Sequence, residues 1–114
     1  MQSKRELIQT IYSAFNRREI DAILATMHPD VDWPNGMEGG RIHGIGKVRD
    51  YWTRQWKLVD PQVTPVSTSR TPDGRIVVQV HQKVSDLSGN VILDHMIEHI
   101  YELRDGLIQS MEIR

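Results

Sequence analysis

The chain has 114 residues, a length that accommodates one domain with one hydrophobic core and leaves little room for a second. Hydrophobic residues make up 39% of it and charged residues 25%, a composition that excludes intrinsic disorder. A formal net charge of −1 with interleaved signs offers no surface for nucleic acid and no polybasic membrane anchor, while the absence of cysteine excludes disulfides, thiolate nucleophiles and sulfur-ligated metals.

The beginning of the chain is polar and amphipathic. Residues 1–11 lack the continuous apolar core of a signal peptide, and no later stretch is long enough to span a bilayer. The lack of cysteine also suits a reducing compartment. We therefore expect a cytoplasmic protein whose partners include neither nucleic acid nor membrane.

Two helices are predicted first. Ser3 and Glu6 have the spacing of a capping box, which predicts a helix from about residue 4 to residue 17. Its apolar residues recur at helical spacing: Leu7, Ile8, Ile11, Tyr12 and Phe15. A second, shorter helix is predicted from Asp21 to His28, before Pro29, and forms a helical hairpin with the first.

The middle of the chain combines short extended segments with a third helix. Residues 31–33 predict a short strand, residues 34–40 a glycine-rich loop, and residues 41–43 a second extended segment. From Gly46 to Val59 apolar and aromatic residues return at helical spacing, until Pro61 ends the run. This third helix carries Trp52 and Trp56, two of the three tryptophans.

The remainder of the chain predicts a sheet. Strands are predicted near residues 62–70, 75–86, 91–104 and 107–113, with hairpin signals at 73–74, 88–90 and 105–106. Helices come first and a meander of antiparallel strands follows. The predicted class is therefore α+β, a single domain over residues 1–114 with three helices packed on one side of a curved antiparallel sheet.

Three segments resemble the nuclear transport factor 2-like superfamily, SnoaL-like branch: residues 14–16 (AFN), 28–33 (HPDVDW) and 101–108 (YELRDGLI). Gly44, which precedes an aromatic-rich helix, completes their order. The resemblance implies a cone-shaped sheet around an apolar cavity and dimerisation through the outer sheet face. Such proteins include ketosteroid isomerases, polyketide cyclases, scytalone dehydratases and limonene epoxide hydrolases, so the fold does not select one function.

The catalytic set of the ketosteroid isomerases is incomplete in this sequence. Those enzymes use a tyrosine on the first helix to stabilise an enolate and a carboxylate base on the strand after the second helix. The resemblance puts Ile11 at the position of that tyrosine and Trp33 at that of the base. The same chemistry would require Tyr12 or Asp32 to substitute through a shifted register.

The predicted strand 91–104 carries the candidate catalytic residues. Alternation groups on one face Leu93, His95, Ile97, His99, Tyr101 and Leu103, and this more apolar face is the predicted interior. The resemblance puts His99 where ketosteroid isomerases and SnoaL-like cyclases carry a catalytic aspartate. With a reference pKa of about 6.5, His99 could serve as general acid or base, assisted by His95 or Tyr101. The alternative is a half-buried histidine that is hydrogen-bonded to the backbone.

Neither a metal nor a cofactor is predicted. His95 and His99 lie four residues apart, which on a strand is about 13 Å and too far for both imidazoles to bind one ion. Residues 40–47 do not form a phosphate-binding loop, because Val48 follows Lys47 where serine or threonine is required.

Aromatic residues predict the walls of the cavity. Indole rings provide flat surfaces for cyclic ligands, although they also serve as ordinary core residues. We expect Trp33 and one of Trp52 and Trp56 to contact the cavity. The candidate ligand-binding residues are Trp33, Tyr12, Trp52, Trp56 and Met111, the last because the resemblance implies a pocket-lining methionine there.

Three functions remain open from the sequence. The first is an isomerase, cyclase, hydrolase or lyase that acts without a cofactor on a small cyclic or polyketide-like substrate. The second is a non-catalytic binder of a hydrophobic metabolite, and the third is a protein–protein adaptor. The face that carries Met96 and Ile100 among acidic residues suits a homodimer.

Overall fold

The computed structural model describes residues 4–36 and 38–114, so Ser3, the predicted helix cap, lies outside the described residues. In chain order the elements are α1 (Lys4–Asn16), α2 (Ile20–Leu24), β1 (Met27–Pro34), β2 (Arg41–His43), α3 (Ile45–Leu58), β3 (Val59–Arg70), β4 (Ile76–Asp86), β5 (Val91–Arg104) and β6 (Leu107–Ile113). Over the described ranges, no helix has the length and apolarity needed to cross a membrane.

The strands form one curved, unclosed sheet in the order β2-β1-β6-β5-β4-β3. From β3 to β6 consecutive strands pair antiparallel, as the hairpin signals predict. The β1–β6 pair is parallel, with Met27 beside Ile108 and Asp32 beside Ser110, so the sheet is mixed. The predicted α+β class with three helices against a curved sheet is confirmed. The prediction that the sheet is antiparallel is corrected, because β1 joins the meander in parallel beside its last strand.

The second helix is shorter than predicted. It ends at Leu24, and the hydroxyl of Thr26 donates to the Ile23 carbonyl oxygen at 2.6 Å. The Thr26 carbonyl oxygen accepts the backbone N–H of Ile108 at 2.8 Å, so the chain has already left the helix to pair with β6. The helical assignment of His28 is therefore wrong, because His28 lies in β1.

The third helix passes directly into an edge strand. It ends at Leu58, and β3 begins at Val59, three residues earlier than the predicted start. Pro61 and Pro65 lie within β3, which is possible because an edge strand leaves one row of backbone N–H groups unpaired. The C-terminal end of α1 is attached to β3 through Asn16. Its Oδ1 accepts the backbone N–H of Val63 at 2.9 Å, and its Nδ2 donates to the Val63 carbonyl oxygen at 2.7 Å.

Helices α1 and α3 cover the inner face of the sheet, and the core lies between these helices and the sheet. Alternation along β5 directs Ile97, His99 and Tyr101 inward, and all three are buried. On the outer face Met96 is 53% exposed. The sheet therefore presents one buried face toward the helices and one face that is largely open.

Candidate functional site

An open cavity of about 430 Å³ lies between the helices and the inner face of the sheet. Helices α1 and α3, strand β1 and the four strands of the meander all contribute to its wall. Its lining is mostly apolar and aromatic, as expected for a site that binds a small organic molecule.

Strand β5 runs from the closed end of this cavity to its mouth. Exposure rises along its inward-facing residues, from 1% at Tyr101 and 7% at His99 to 9% at Ile97 and 42% at Leu93. His95 is exposed and lies between Ile97 and Leu93. Along this strand the cavity therefore changes from a buried inner end to a solvent-exposed mouth.

A chain of hydrogen bonds occupies the inner end. The Tyr101 hydroxyl donates to the Tyr12 hydroxyl at 2.8 Å, and the Tyr12 hydroxyl lies 2.8 Å from Nδ1 of His99. The arrangement that uses both hydroxyl protons has Tyr12 donating to Nδ1 of His99, which is then the acceptor. In this arrangement the proton of the neutral imidazole is on Nε2.

None of the three groups carries a charge near neutral pH. Burial lowers the pKa of His99 from 6.5 to about 4, because the charged imidazolium would lose its hydration. Burial also raises the pKa of Tyr12 and of Tyr101 above their ordinary range. The inner end is thus a neutral site in which His99 Nε2–H is a hydrogen-bond donor. Over the described ranges this nitrogen has no hydrogen-bond partner, and His99 belongs to the cavity lining.

Aromatic rings form the wall beside this donor. Trp33 packs edge-on against Trp52 with ring centroids 5.6 Å apart, and its ring lies 6.4 Å from that of Tyr101. Phe15 of α1 packs edge-on against the other side of Trp52 at 5.6 Å. Both Trp33 and Trp52 line the cavity.

Trp56, also a predicted ligand-binding residue, lies outside the cavity lining. It stacks on Trp52 at 6.0 Å and contacts Phe15 at 5.5 Å, so these two rings separate it from the cavity. The guanidinium of Arg18 covers its ring at 5.1 Å from the centroid. Gln55 and Val59, before and after it in the chain, do line the cavity, so the direction of the Trp56 ring and not its position along α3 keeps it out of the lining.

The remaining predicted residues lie at different depths. Met111 lines the cavity together with Tyr12. His95 lines its mouth, where Nε2 lies 2.8 Å from Oε1 of Gln82. The structure therefore brings together His99, Tyr12 and Tyr101, while His95 stands apart from them. Its register with Gln82 on the neighbouring strand accounts for that pairing.

No carboxylate contributes to the lining from the described part of the chain. Asp32, the alternative base position, accepts a hydrogen bond from Nε of Arg41 at 2.8 Å and does not line the cavity. Ile11 and Trp33 do line it, at the two positions that the ketosteroid isomerase pattern gives to its tyrosine and its base. Tyr12, one residue beyond Ile11, is the tyrosine that engages His99.

Gln82 is a lining residue that sequence reasoning missed. It occurs in β4 in alternation with Val78, Val80 and Val84, where an apolar residue would be expected. A polar residue that interrupts an inward-facing apolar row is the signal that could have identified it.

The comparisons with known proteins agree with this architecture. The sequence model of the SnoaL-like domain family matches residues 8–111. No curated protein matches the chain. TerC, solved in co-crystals with polyporic acid, is 29% identical, with 96% of this chain and 88% of TerC covered and a TM-score of 0.82.

Two bacterial structures extend the comparison. A nuclear transport factor 2-like protein of unknown function from Burkholderia pseudomallei K96243 is 25% identical over 100% of this chain and 91% of its own, with a TM-score of 0.85. A protein from Xanthomonas campestris pv. campestris, itself only proposed to be a polyketide cyclase, is 22% identical over 94% and 85%, with a TM-score of 0.80, and supports the fold alone. With its family model matched over residues 8–111, this chain belongs to the SnoaL-like domain family and has the nuclear transport factor 2-like fold.

Proposed function

We propose that the chain binds a small, cyclic, largely apolar compound in this cavity and holds a carbonyl oxygen of that compound against Nε2–H of His99. The observation that carries the proposal is the hydrogen-bond chain from Tyr101 through Tyr12 to Nδ1 of His99. In the arrangement of that chain which uses both hydroxyl protons, Nε2 is a donor. A donor that lines the cavity and has no partner among the described residues favours a ligand that supplies an acceptor.

The size and the walls of the cavity support a ring compound. A volume of about 430 Å³ lies within the range of small-molecule sites and holds roughly two or three linked rings. The perpendicular rings of Trp33 and Trp52 offer a flat face and an edge for aromatic contact. The co-crystallisation of TerC, a 29% identical structure, with polyporic acid supports the same class of ligand for this chain.

Electrostatics favour binding and polarisation of the ligand over acid–base chemistry by His99. A histidine whose pKa is lowered to about 4 is a weak base, and its Nδ1 already accepts a hydrogen bond from Tyr12. No lining carboxylate stands beside it among the described residues. The next imidazole, His95, is about 13 Å away along the strand, too far to remove a proton next to the same carbonyl.

An isomerase or cyclase that acts without a cofactor is the second candidate, favoured by the same neutral donor. An Nε2–H that polarises a carbonyl oxygen also stabilises the enolate formed when a neighbouring carbon loses its proton. In that reaction His99 would stabilise charge and would not move the proton. The base would then have to be a water molecule, because His95 is too far away along the strand.

Binding of two matched probes tests the proposal. Para-acetylbiphenyl carries a ketone, and para-ethylbiphenyl has nearly the same shape without the carbonyl. We expect the ketone to bind about threefold to tenfold more tightly, measured by tryptophan fluorescence and calorimetry, since one net hydrogen bond contributes about 1 kcal/mol. His99→Met should remove that advantage, while His81→Met on the outer sheet face should preserve it. An equal preference for the ketone in His99→Met, or no binding of either probe, would overturn the proposal.

The binder and the enzyme are separated by the fate of a natural ligand. Native mass spectrometry of the purified protein, followed by organic extraction, identifies any molecule that is retained. Recovery of that molecule unchanged after prolonged incubation supports the binder. Its conversion to an isomer or a cyclised product, lost in His99→Met, supports the enzyme.

A further inference from the structure

The mouth of the cavity carries its own pair of polar side chains. Gln82 of β4 and His95 of β5 face each other across the two strands, with Oε1 of Gln82 2.8 Å from Nε2 of His95. Both side chains line the cavity. The neighbouring lining residues of the two strands, Val84, Leu93 and Ile97, are apolar.

This pair keeps hydrogen-bonding capacity after its members bind each other. A neutral imidazole has one donor and one acceptor, and an amide has two donors on nitrogen and an acceptor oxygen. Because an amide oxygen only accepts, Nε2 of His95 is the donor in their mutual bond, which leaves Nδ1 of His95 as an acceptor and the amide N–H groups of Gln82 as donors. Over the described ranges neither side chain makes another hydrogen bond. A hydroxyl group, which donates and accepts at once, is the ligand group that matches this remainder.

The spacing of the two polar ends defines the length of the ligand. His95 and His99 are four residues apart on one face of β5, about 13 Å along the strand, with Ile97 between them. A molecule that reaches both ends therefore has an apolar middle of two or three rings and a polar atom at each end. Its inner atom meets a donor, and its outer atom meets both a donor and an acceptor.

The outer face of the same strands provides a contrast. His81, next to Gln82, is hydrogen-bonded to the carboxylate of Asp94, and neither residue lines the cavity. A charged partner on the solvent side is typical of an exposed histidine. His95 instead pairs with a neutral amide inside the mouth, where a neutral ligand group can join it without displacing an ion.

We propose that Gln82 and His95 form a second polar subsite, specific for a hydroxyl group at the end of the ligand opposite its carbonyl oxygen. The subsite rests on the proposed function, since it assumes that the carbonyl is at His99. It makes the chain selective for elongated hydroxy-ketones over simple ketones of the same ring system. The class is an aryl or polycyclic ketone with a distal hydroxyl or phenol.

The test adds one hydroxyl to the ketone probe. Para-acetylbiphenyl is compared with the same ketone carrying a para-hydroxyl on its distal ring, and both affinities are measured by calorimetry. We expect the hydroxyl to tighten binding to the wild-type protein about threefold to tenfold. His95→Ala and, separately, Gln82→Met should each reduce the gain, taken as the ratio of the two affinities in the same variant, to less than about twofold. His81→Ala, the matched control on the outer face, should keep the full gain.

The outcomes distinguish the two proposals. If para-acetylbiphenyl binds through His99 but its hydroxyl derivative binds no more tightly, the subsite is wrong and the proposed function stands. If the gain survives in both His95→Ala and Gln82→Met, the hydroxyl is bound elsewhere and the subsite is again wrong. If neither compound binds, the proposed function fails and the subsite fails with it.

Discussion

At the scale of single residues, burial of His99 couples the inner end of the cavity to the stability of the fold. Its pKa is about 4 in the folded protein and about 6.5 when the chain is unfolded. Between these two pH values the unfolded state binds more protons than the folded state. The contribution of His99 to stability is therefore fully present above about pH 6.5 and is lost as the pH falls toward 4. We expect the free energy of unfolding, measured in urea, to fall by roughly 2 kcal/mol between about pH 7 and about pH 5 from this residue alone.

The matched variants for this measurement are His99→Gln and His81→Gln. Glutamine at position 99 can still accept the hydrogen bond from Tyr12 but does not titrate, so the decrease between the two pH values should shrink by that amount. His81 lies on the outer face with Asp94, and its replacement should leave the contribution of His99 in place. An unchanged pH dependence in His99→Gln would show that the buried imidazole is not the group responsible.

The two tyrosines of the inner end have unequal roles, because Tyr12 lies between the other two groups. Tyr12→Phe leaves both the Tyr101 hydroxyl and Nδ1 of His99 without a partner, and burial of such groups costs about 1–3 kcal/mol. Tyr101→Phe removes only a donor, and Tyr12 still binds His99, so about 1 kcal/mol is expected. Urea unfolding should therefore rank Tyr12→Phe as the less stable variant. The reverse order would contradict the central position of Tyr12 between the other two groups.

At the scale of elements, the turn between β5 and β6 depends on a backbone conformation that few residues adopt. Asp105 and Gly106 both have positive φ, 54° and 78°. A Cβ at Gly106 would meet no atom within 4 Å, so Gly106→Ala tests conformation without a steric clash. We expect it to destabilise the protein by about 1–2 kcal/mol in thermal or urea unfolding.

Gly46 provides the matched control for that turn. It lies in α3 and has no positive φ, and a Cβ at this position would also meet no atom within 4 Å. Gly46→Ala should raise the free energy of unfolding by up to about 1 kcal/mol, because alanine favours the helix and restricts the unfolded chain. Equal effects of the two substitutions would mean that the positive φ at Gly106 is not what requires glycine.

Local patterns predicted the elements whose neighbours in space are also neighbours in the chain. The meander from β3 to β6 followed from alternation and turn residues, and α1 and α3 followed from helical spacing. The extension of β1 back to Met27 did not, because its partner is β6 near the other end of the chain. A proline after His28 is typical of a helix end, and only that long-range pairing reveals a strand instead.

For the candidate site too, the sequence predicted only the features that depend on local patterns. Alternation along β5 placed His99 and Tyr101 on the inner face, but nothing in the sequence indicates that Tyr12 connects them. Helical spacing does not distinguish Trp52 from Trp56. Only Trp52 lines the cavity, because Trp52 and Phe15 both pack against Trp56 on the cavity side. Tertiary packing determines both the hydrogen bonds between distant elements and the limits of a cavity. A periodic pattern in the sequence therefore cannot predict them.

At the scale of the whole molecule, we expect two copies of the chain to meet through the outer face of the sheet. Met96 is 53% exposed there, while Ile100 is only 2% exposed and is already covered within one chain. Hydrogen bonds between Gln79 and Glu98 and between His81 and Asp94 surround Met96 on neighbouring strands. An apolar centre with a polar rim is typical of a moderate interface, and in a two-fold dimer the same patch is used twice.

We therefore expect a homodimer through this face, and Met96→Glu should convert it to a monomer in sedimentation velocity or native mass spectrometry. The new carboxylate would enter the interface in two copies, close to the acidic residues that already flank Met96, where like charges repel and lose hydration. Leu87→Glu is the control, because Leu87 is 64% exposed at a hairpin between β4 and β5 and should leave the dimer intact. A dimer that persists in Met96→Glu would place the interface on another surface, and a dimer lost in Leu87→Glu alone would place it at the β4–β5 hairpin.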